Sequence, residues 1–241
     1  MAEFPEEPIY EQLARVGKAL ASPVRLRLLD VLDQRERTVE ELAQAAGVPL
    51  KNTSAQLQQL RAARLVTSRK DGPRVYYRLA DERVSRFLGD LQGFAHDRLA
   101  ELRDAVRDRL GSLEGVTADE LAARLTDPGT VIVDVRPSAD YAAGHLPGAI
   151  SLPMAELRER LAELREPAEL RQPAELREPA ESRERVTARP GEAEIVAYCG
   201  GPYCVVSPEA VRMLRDHGYY ARPLDGGFLG WRRGDRPLER S

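Results

Sequence analysis

The sequence predicts two domains. The first, over residues 1–110, is an α+β domain in which short helices are closed by a basic β-hairpin. The second, over 111–241, is an α/β domain with a parallel sheet, interrupted by a low-complexity hexapeptide insertion at about 162–185. Three observations carry this. Helical apolar patterns between Tyr10 and Arg64 run directly into two alternating strand patterns around Asp71-Gly72. Val131-Ile132-Val133-Asp134-Val135 and Ile195-Val196-Ala197-Tyr198 are short apolar runs rich in β-branched residues, the pattern of a parallel strand buried on both faces. Both cysteines of the chain lie in one glycine-rich loop between the second of these runs and a helix-like run starting near Ser207.

The N-terminal elements follow in order. A first helix is expected from about Tyr10 to Ala21, with Leu13, Val16, Gly17 and Leu20 on one face. Ser22 caps a second helix and Pro23 suits its first position; Val24, Leu28, Leu29, Val31 and Leu32 are its apolar set. Thr38 and Glu41 form a capping box for a third helix, which Gly47 ends. After Val48-Pro49 a fourth runs to about Arg64. Its core side is Leu50, Leu57 and Leu60, and the opposite side carries Lys51, Asn52, Ala55, Gln58, Gln59 and Ala62. Leu65 to Leu79 is a hairpin with a basic tip. In this order the elements make a winged helix-turn-helix.

The charge distribution agrees with that arrangement. The chain carries a net −3, yet seven basic residues between Lys51 and Arg78 face a single acid, Asp71, for a local net of +6. Such a patch is the footprint of a polyanion partner. Asn and Gln amides bond adenine edges in the major groove, and Lys reaches guanine or phosphate. Lys51, Asn52, Ser54, Gln56 and Gln59 are therefore expected to face a groove of double-stranded DNA, with Arg69, Lys70 and Arg74 on phosphates. A polar helix face or a charged hairpin alone is common on ordinary surfaces; their ordered combination points to DNA.

Gly17-Lys18-Ala19-Leu20-Ala21-Ser22-Pro23-Val24-Arg25-Leu26-Arg27-Leu28-Leu29, Glu41-Leu42-Ala43 and Leu57-Gln58-Gln59-Leu60-Arg61-Ala62-Ala63-Arg64-Leu65-Val66 resemble the ArsR family of bacterial repressors over roughly residues 8 to 100. That resemblance implies a dimeric winged helix protein bound to a near-palindromic operator. Arg64 stands where the family usually has glycine, so it must take a left-handed conformation or end the helix differently. The thiol pair that many members place in the third helix is absent from Thr38-Val39-Glu40-Glu41-Leu42-Ala43, and the next helical segment holds a lone His96, so no metal site is expected. That segment, about Asp81 to Leu110, repeats Val84, Phe87, Leu88, Leu91, Phe94, Ala95, Leu99, Leu102, Val106 and Leu110 at helical spacing. The stripe serves either an internal core or, as the resemblance implies, a homodimer interface.

In the second half, Gly111 to Gly115 is a short junction and Thr117-Ala118-Asp119-Glu120 a capped helix start. A helical pattern at Pro208–His217 and a short strand near Ala221–Leu224 complete an alternation that implies a parallel sheet covered by helices. Asp134-Val135-Arg136-Pro137-Ser138-Ala139-Asp140-Tyr141-Ala142-Ala143-Gly144-His145-Leu146-Pro147-Gly148-Ala149-Ile150-Ser151-Leu152-Pro153 and Leu224-Asp225-Gly226-Gly227-Phe228-Leu229-Gly230-Trp231 resemble the rhodanese family, with Cys199 at the place of its catalytic cysteine. The resemblance implies that Cys199 carries a covalent persulfide, its sulfur held by backbone N–H groups of Gly200, Gly201, Pro202, Tyr203, Cys204 and Val205 apart from the proline. No other cofactor is expected. A cysteine at a strand end before a helix N-terminus has a lowered pKa, so Cys199 is the expected nucleophile at the mouth of this nest and Cys204 its resolving thiol. Gly200 replaces a frequent arginine that would bind an anionic donor, and Val205 replaces the arginine a phosphatase needs. His145 and Trp231 are assigned to packing.

No apolar stretch approaches the ~18 residues of a membrane span, the N-terminus is acidic, and two cysteines make no secreted disulfide framework. A cytoplasmic protein without a membrane partner is the expectation. Three functions stay open. One is a DNA-binding regulator that senses sulfane sulfur or oxidant at Cys199. The second is a sulfurtransferase with a small sulfur donor or acceptor, such as thiosulfate or a persulfide, and an accessory DNA-binding domain. The third is a Cys199–Cys204 redox switch without sulfur transfer.

Overall fold

The computed structural model describes residues 4–161, Leu164 and 193–241. The hexapeptide insertion therefore lies outside the described residues, Leu164 excepted. The chain divides into two compact units, Met1–Phe94 and Ala95–Ser241.

The first unit contains α1 (Glu7–Leu20), α2 (Pro23–Leu32), β1 (Arg37–Thr38), α3 (Val39–Ala46), α4 (Leu50–Ala62), β2 (Val66–Asp71), β3 (Arg74–Leu79) and most of α5 (Glu82–Arg98). The capping chemistry is as the sequence requires. Ser22 accepts from the Arg25 N–H, and Thr38 and Glu41 form a reciprocal capping box. Gly47 ends α3 in the left-handed region at φ 67°. The sheet order is β1-β3-β2, all antiparallel, and Asp71 pairs with Arg74 across the two-residue Gly72-Pro73 turn. Leu28, Leu29, Leu42, Leu57 and Leu60 are fully buried in one core with Val66, Tyr77, Leu79 and Leu88. Leu57 and Leu60 thus turn inward as their spacing predicts, with Thr53 buried beside them, whereas Leu50, expected on the same side, is 48% exposed at the start of the helix.

One helix over Asp81–Leu110 is expected from the sequence; the structure breaks it. Leu99 is extended (φ −104°, ψ 106°) between α5 and α6 (Ala100–Leu110). The Arg103 guanidinium donates to the His96 and Asp97 carbonyls at 2.8 and 3.1 Å, which satisfies the end of α5 without a further helical turn. The apolar stripe divides as well. Leu88 is buried and Val84 and Leu91 pack against the core, while Phe87, Phe94 and Leu99 are exposed.

The second unit adds α7 (Ala118–Ala122), β4 (Thr130–Asp134), α8 (Ser138–Ala143), β5 (Ile150–Ser151), β6 (Glu194–Tyr198), α9 (Val206–Asp216), β7 (Tyr220–Pro223) and α10 (Gly227–Arg233). The four strands form a parallel sheet in the order β5-β4-β6-β7. Its two faces bury separate cores, and strand alternation assigns each residue to one of them. Val131, Val133, Ile195, Ala197 and Cys199 share one core with Ala210, Val211 and Leu214 of α9. Ile132, Val196 and Tyr198 share the other with Phe228 and Trp231 of α10. The continuous apolar strands of the sequence are therefore buried on both sides.

Arg64 takes the left-handed conformation at φ 58°, while the Leu65 N–H reaches back to the Leu60 carbonyl at 3.0 Å. A Cβ in that region costs about 1–2 kcal/mol, partly offset by the extra chain entropy of glycine. Arg64→Gly should therefore stabilise the first unit by about 1 kcal/mol, a rise of about 4–8 °C in thermal midpoint for a unit of this size. Calorimetry that showed a lowered midpoint would contradict this.

Candidate functional site

Cys199 directly follows β6, and its side chain belongs to the face of the sheet that α9 covers. The chain then turns through Gly200-Gly201-Pro202-Tyr203, with the Cys204 N–H donating to the Gly201 carbonyl at 3.1 Å, and enters α9 from Val205. This turn places the Cα atoms of Cys199 and Cys204 6.4 Å apart, and their sulfurs are joined in a disulfide. Neither cysteine is free. The sequence placed Cys199 at an open mouth; in the structure it is 2% exposed, because its strand face is sealed by α9. Gly200 is buried, Gly201 to Cys204 are partly exposed, and Val205 is 43% exposed.

The first turn of α10 holds this loop. The Phe228 N–H donates to the Cys199 carbonyl at 2.9 Å, and the Leu229 N–H donates to the Gly200 carbonyl at 3.0 Å. These are N–H groups that a helix N-terminus leaves unpaired. Gly226 and Gly227 have φ of 73° and 57°, and a Cβ on Gly227 would stand 2.6 Å from the Cys199 carbonyl oxygen. The glycine pair thus supplies both the turn and the close approach.

Against Phe228 of α10 lies a buried ionic group. The Arg136 guanidinium donates to both Asp134 carboxylate oxygens, at 2.6 to 3.1 Å, and to the Gly144 carbonyl at 2.7 Å. It lies 4.0 Å from the centre of the Phe228 ring. Asp134 is 0% and Arg136 3% exposed, so the pair is fully desolvated. Burial and the Asp134 charge push the neighbouring Tyr198 phenol far up, so it stays protonated. The sequence named Asp134 and Gly226-Gly227 only as parts of motifs. Their role as supports of the loop needs distances, although two glycines before an aromatic residue are a legible signal of close backbone approach.

His145 and Trp231 are anchors. His145 stacks on Tyr141 at 3.7 Å, and Trp231 is fully buried with its indole N–H on the Pro237 carbonyl at 2.8 Å. A cavity of about 200 Å³ adjoins the loop, lined by Val106, Leu110, Pro202, Cys204, Leu224 and Asp225 among others. Burial pushes the Asp225 carboxyl up from its ordinary value. Among the described residues there is no cluster of three or more His, Cys, Asp or Glu able to hold a metal ion.

In the first unit, Lys51, Asn52, Ser54 and Gln59 are exposed on α4. Gln56 is engaged instead: its Oε1 accepts from Arg25 at 2.8 Å and its Nε2 donates to Asn52 at 3.0 Å. Arg25 also donates to the Lys18 carbonyl, so it ties α4 to the end of α1. Arg69 is bound to Glu36 (2.6 Å) and Asp71 (3.1 Å) and stacks over Tyr76. Its charge is thus largely compensated within the protein. Lys70 and Arg74 are exposed on the hairpin.

Comparison with known proteins bears on both units. A helix-turn-helix domain model matches residues 20–69 and a rhodanese-like domain model matches residues 117–233. The chain is 43% identical, over 96% of its length and 92% of the relative's, to the HTH-type transcriptional regulator Rv0324 of Mycobacterium tuberculosis. It is 39% identical to the HTH-type transcriptional repressor SmtB of the same species, over 36% of this chain and 67% of the repressor. The solution structure of the homodimeric winged helix-turn-helix DNA-binding domain of Mb0332 from Mycobacterium bovis is 44% identical and covers 42% of this chain and 95% of that one, with a TM-score of 0.38.

The cradle generates a direct expectation. Gly227→Ala combines a left-handed backbone with a steric conflict at the Cys199 carbonyl, and should cost at least ~2 kcal/mol. Urea unfolding of the second unit is the measurement, and an unchanged midpoint would contradict the cradle.

Proposed function

The chain belongs to the ArsR-type transcriptional regulators that carry a rhodanese-like domain, and from that premise we propose that its operator affinity is set by the sulfur state of the Cys199–Cys204 pair. One observation carries the proposal: both cysteines of the chain are joined in a loop held by the α10 N-terminus. The chemistry balances with a hydropersulfide, RSSH, as donor. In the dithiol state, with the loop no longer tied by the disulfide, a Cys199 thiolate attacks its outer sulfur, forms Cys199–S–SH and releases RS⁻. The Cys204 thiolate then attacks the Cys199 sulfur, forming the disulfide and releasing HS⁻. The sulfane sulfur is reduced to hydrosulfide, and the two thiols are oxidised.

The DNA side of the proposal uses the exposed face of α4, with Lys51, Asn52, Ser54 and Gln59 toward the major groove and Lys70 and Arg74 toward phosphates. A homodimer is part of it. The exposed Ile9 and Leu13 of α1 and Phe87 and Phe94 of α5 are apolar surface that a second copy would cover. The absence of arginine at position 200 weighs against fast turnover of thiosulfate, and so favours sensing over catalysis.

Two measurements test this. Operator affinity of the full chain should differ by about tenfold or more between dithiol and disulfide states, within the usual range of coupling between sites, with two chains per operator fragment. Cys199→Ser and Cys204→Ser should lose the response, whereas equal affinity in both wild-type states refutes the proposal. In salt titrations, Lys70→Ala and Arg74→Ala should each reduce the slope by about one unit. Arg69→Ala should reduce it by clearly less, because its charge is already met by Glu36 and Asp71. An Arg69 effect as large as that of Lys70 would contradict this.

A further inference from the structure

We infer that the disulfide is reset by a small thiol that enters beside Cys204 and attacks the Cys204 sulfur, with Cys199 as the leaving group. The inference rests on the reading above that the pair cycles between dithiol and disulfide. It reverses the roles that the strand-end position of Cys199 suggests. The ground is an asymmetry of access. Cys199 is 2% exposed and sits in the core under α9. Cys204 is partly exposed and lines the cavity of about 200 Å³, whose lining residues do not include Cys199.

The cavity also describes its ligand. It is below the roughly 300–1,000 Å³ of drug-sized sites, so it suits a small thiol. Val106 and Leu110 of α6, Pro202 and Leu224 give it apolar walls. Asp225 is the one charged group among its described lining residues, which disfavours an anionic thiol. The end of α6 is fixed there by Arg212 of α9, which donates to the Leu110 carbonyl at 2.6 Å.

The step balances. A thiolate RS⁻ bonds to the Cys204 sulfur, the Cys199–Cys204 bond breaks, and the electron pair leaves on Cys199 as a thiolate. A second RS⁻ attacks the mixed disulfide at the sulfur of R, giving RSSR and a Cys204 thiolate. Two small thiols are oxidised and the protein disulfide is reduced.

The test uses the full-length disulfide protein and N-acetylcysteamine, a neutral thiol, quenched early with weakly acidic N-ethylmaleimide and read by fragment mass spectrometry. The expected species carries the cysteamine adduct on Cys204 and the alkyl group on Cys199. Val106→Phe, at a half-buried position on the cavity wall, should slow adduct formation about tenfold, while reduction in denaturant stays at the wild-type rate. Per thiolate, 3-mercaptopropionate should react several-fold more slowly than N-acetylcysteamine, and Asp225→Asn should narrow that gap. An adduct on Cys199, an equal split, or an undiminished rate in Val106→Phe overturns the inference. A protein that forms no disulfide with polysulfide, or whose DNA affinity ignores it, fails the functional proposal instead. The two failures are thus separable.

Discussion

Two backbone hydrogen bonds from the first turn of α10, to the carbonyls of Cys199 and Gly200, are the constraint on which the candidate site depends. They fix the path of the chain as it leaves β6, and that path decides where both cysteines lie. Each bond is worth only about 0.5–1.5 kcal/mol net. They hold because their surroundings are over-determined. Gly226 and Gly227 allow the approach, and Phe228, whose N–H makes one bond, is packed under Arg136. Arg136 in turn is held by the buried Asp134 carboxylate. A buried ion pair is weak evidence of net stability, but breaking it by removing one partner costs about 3–5 kcal/mol. The pair therefore defines the position of α10 and, through it, the loop.

The same sheet gives the two cysteines unequal surroundings. Alternation along β6 puts Cys199 inside the core packed by α9, whereas Cys204, after the turn, packs at the margin of the same core and borders the cavity. Sulfur chemistry at such a pair has a direction imposed by access as well as by thiol pKa. Conversion between dithiol and disulfide can shift DNA affinity only if the two states differ in free energy between bound and unbound forms. α6, whose Val106 and Leu110 line the cavity beside Cys204, follows α5 in the chain after the single extended residue Leu99.

Much of this was legible in the sequence. The capping residues Ser22, Thr38 and Thr117 marked helix starts that the structure places at those positions, because capping is a local interaction. The parallel strands were legible because burial on both faces leaves continuous β-branched runs. Arg64 could be flagged as strained because the conflict lies in a single residue's backbone. What the sequence hid was set by side-chain contacts that no local spacing pattern records. Leu99 breaks a good helical stripe because Arg103 turns back onto the carbonyls of α5. Gln56 looks like a base reader until Arg25 is seen to occupy its amide. Arg69 looks like a phosphate contact until Glu36, on the segment before β1, is seen beside it. The burial of Cys199 depends on α9 closing over its strand face, which no local pattern records.

The central claim is that the loop brings Cys199 and Cys204 into a pair that a sulfane-sulfur donor oxidises directly. The most direct measurement is the intact mass of the reduced full-length chain after one equivalent of a hydropersulfide, with released sulfide quantified in parallel. The account predicts a loss of the mass of two hydrogens and one hydrosulfide released per chain. A stable gain of one sulfur atom, with both remaining thiol groups open to alkylation and no sulfide released, would contradict it.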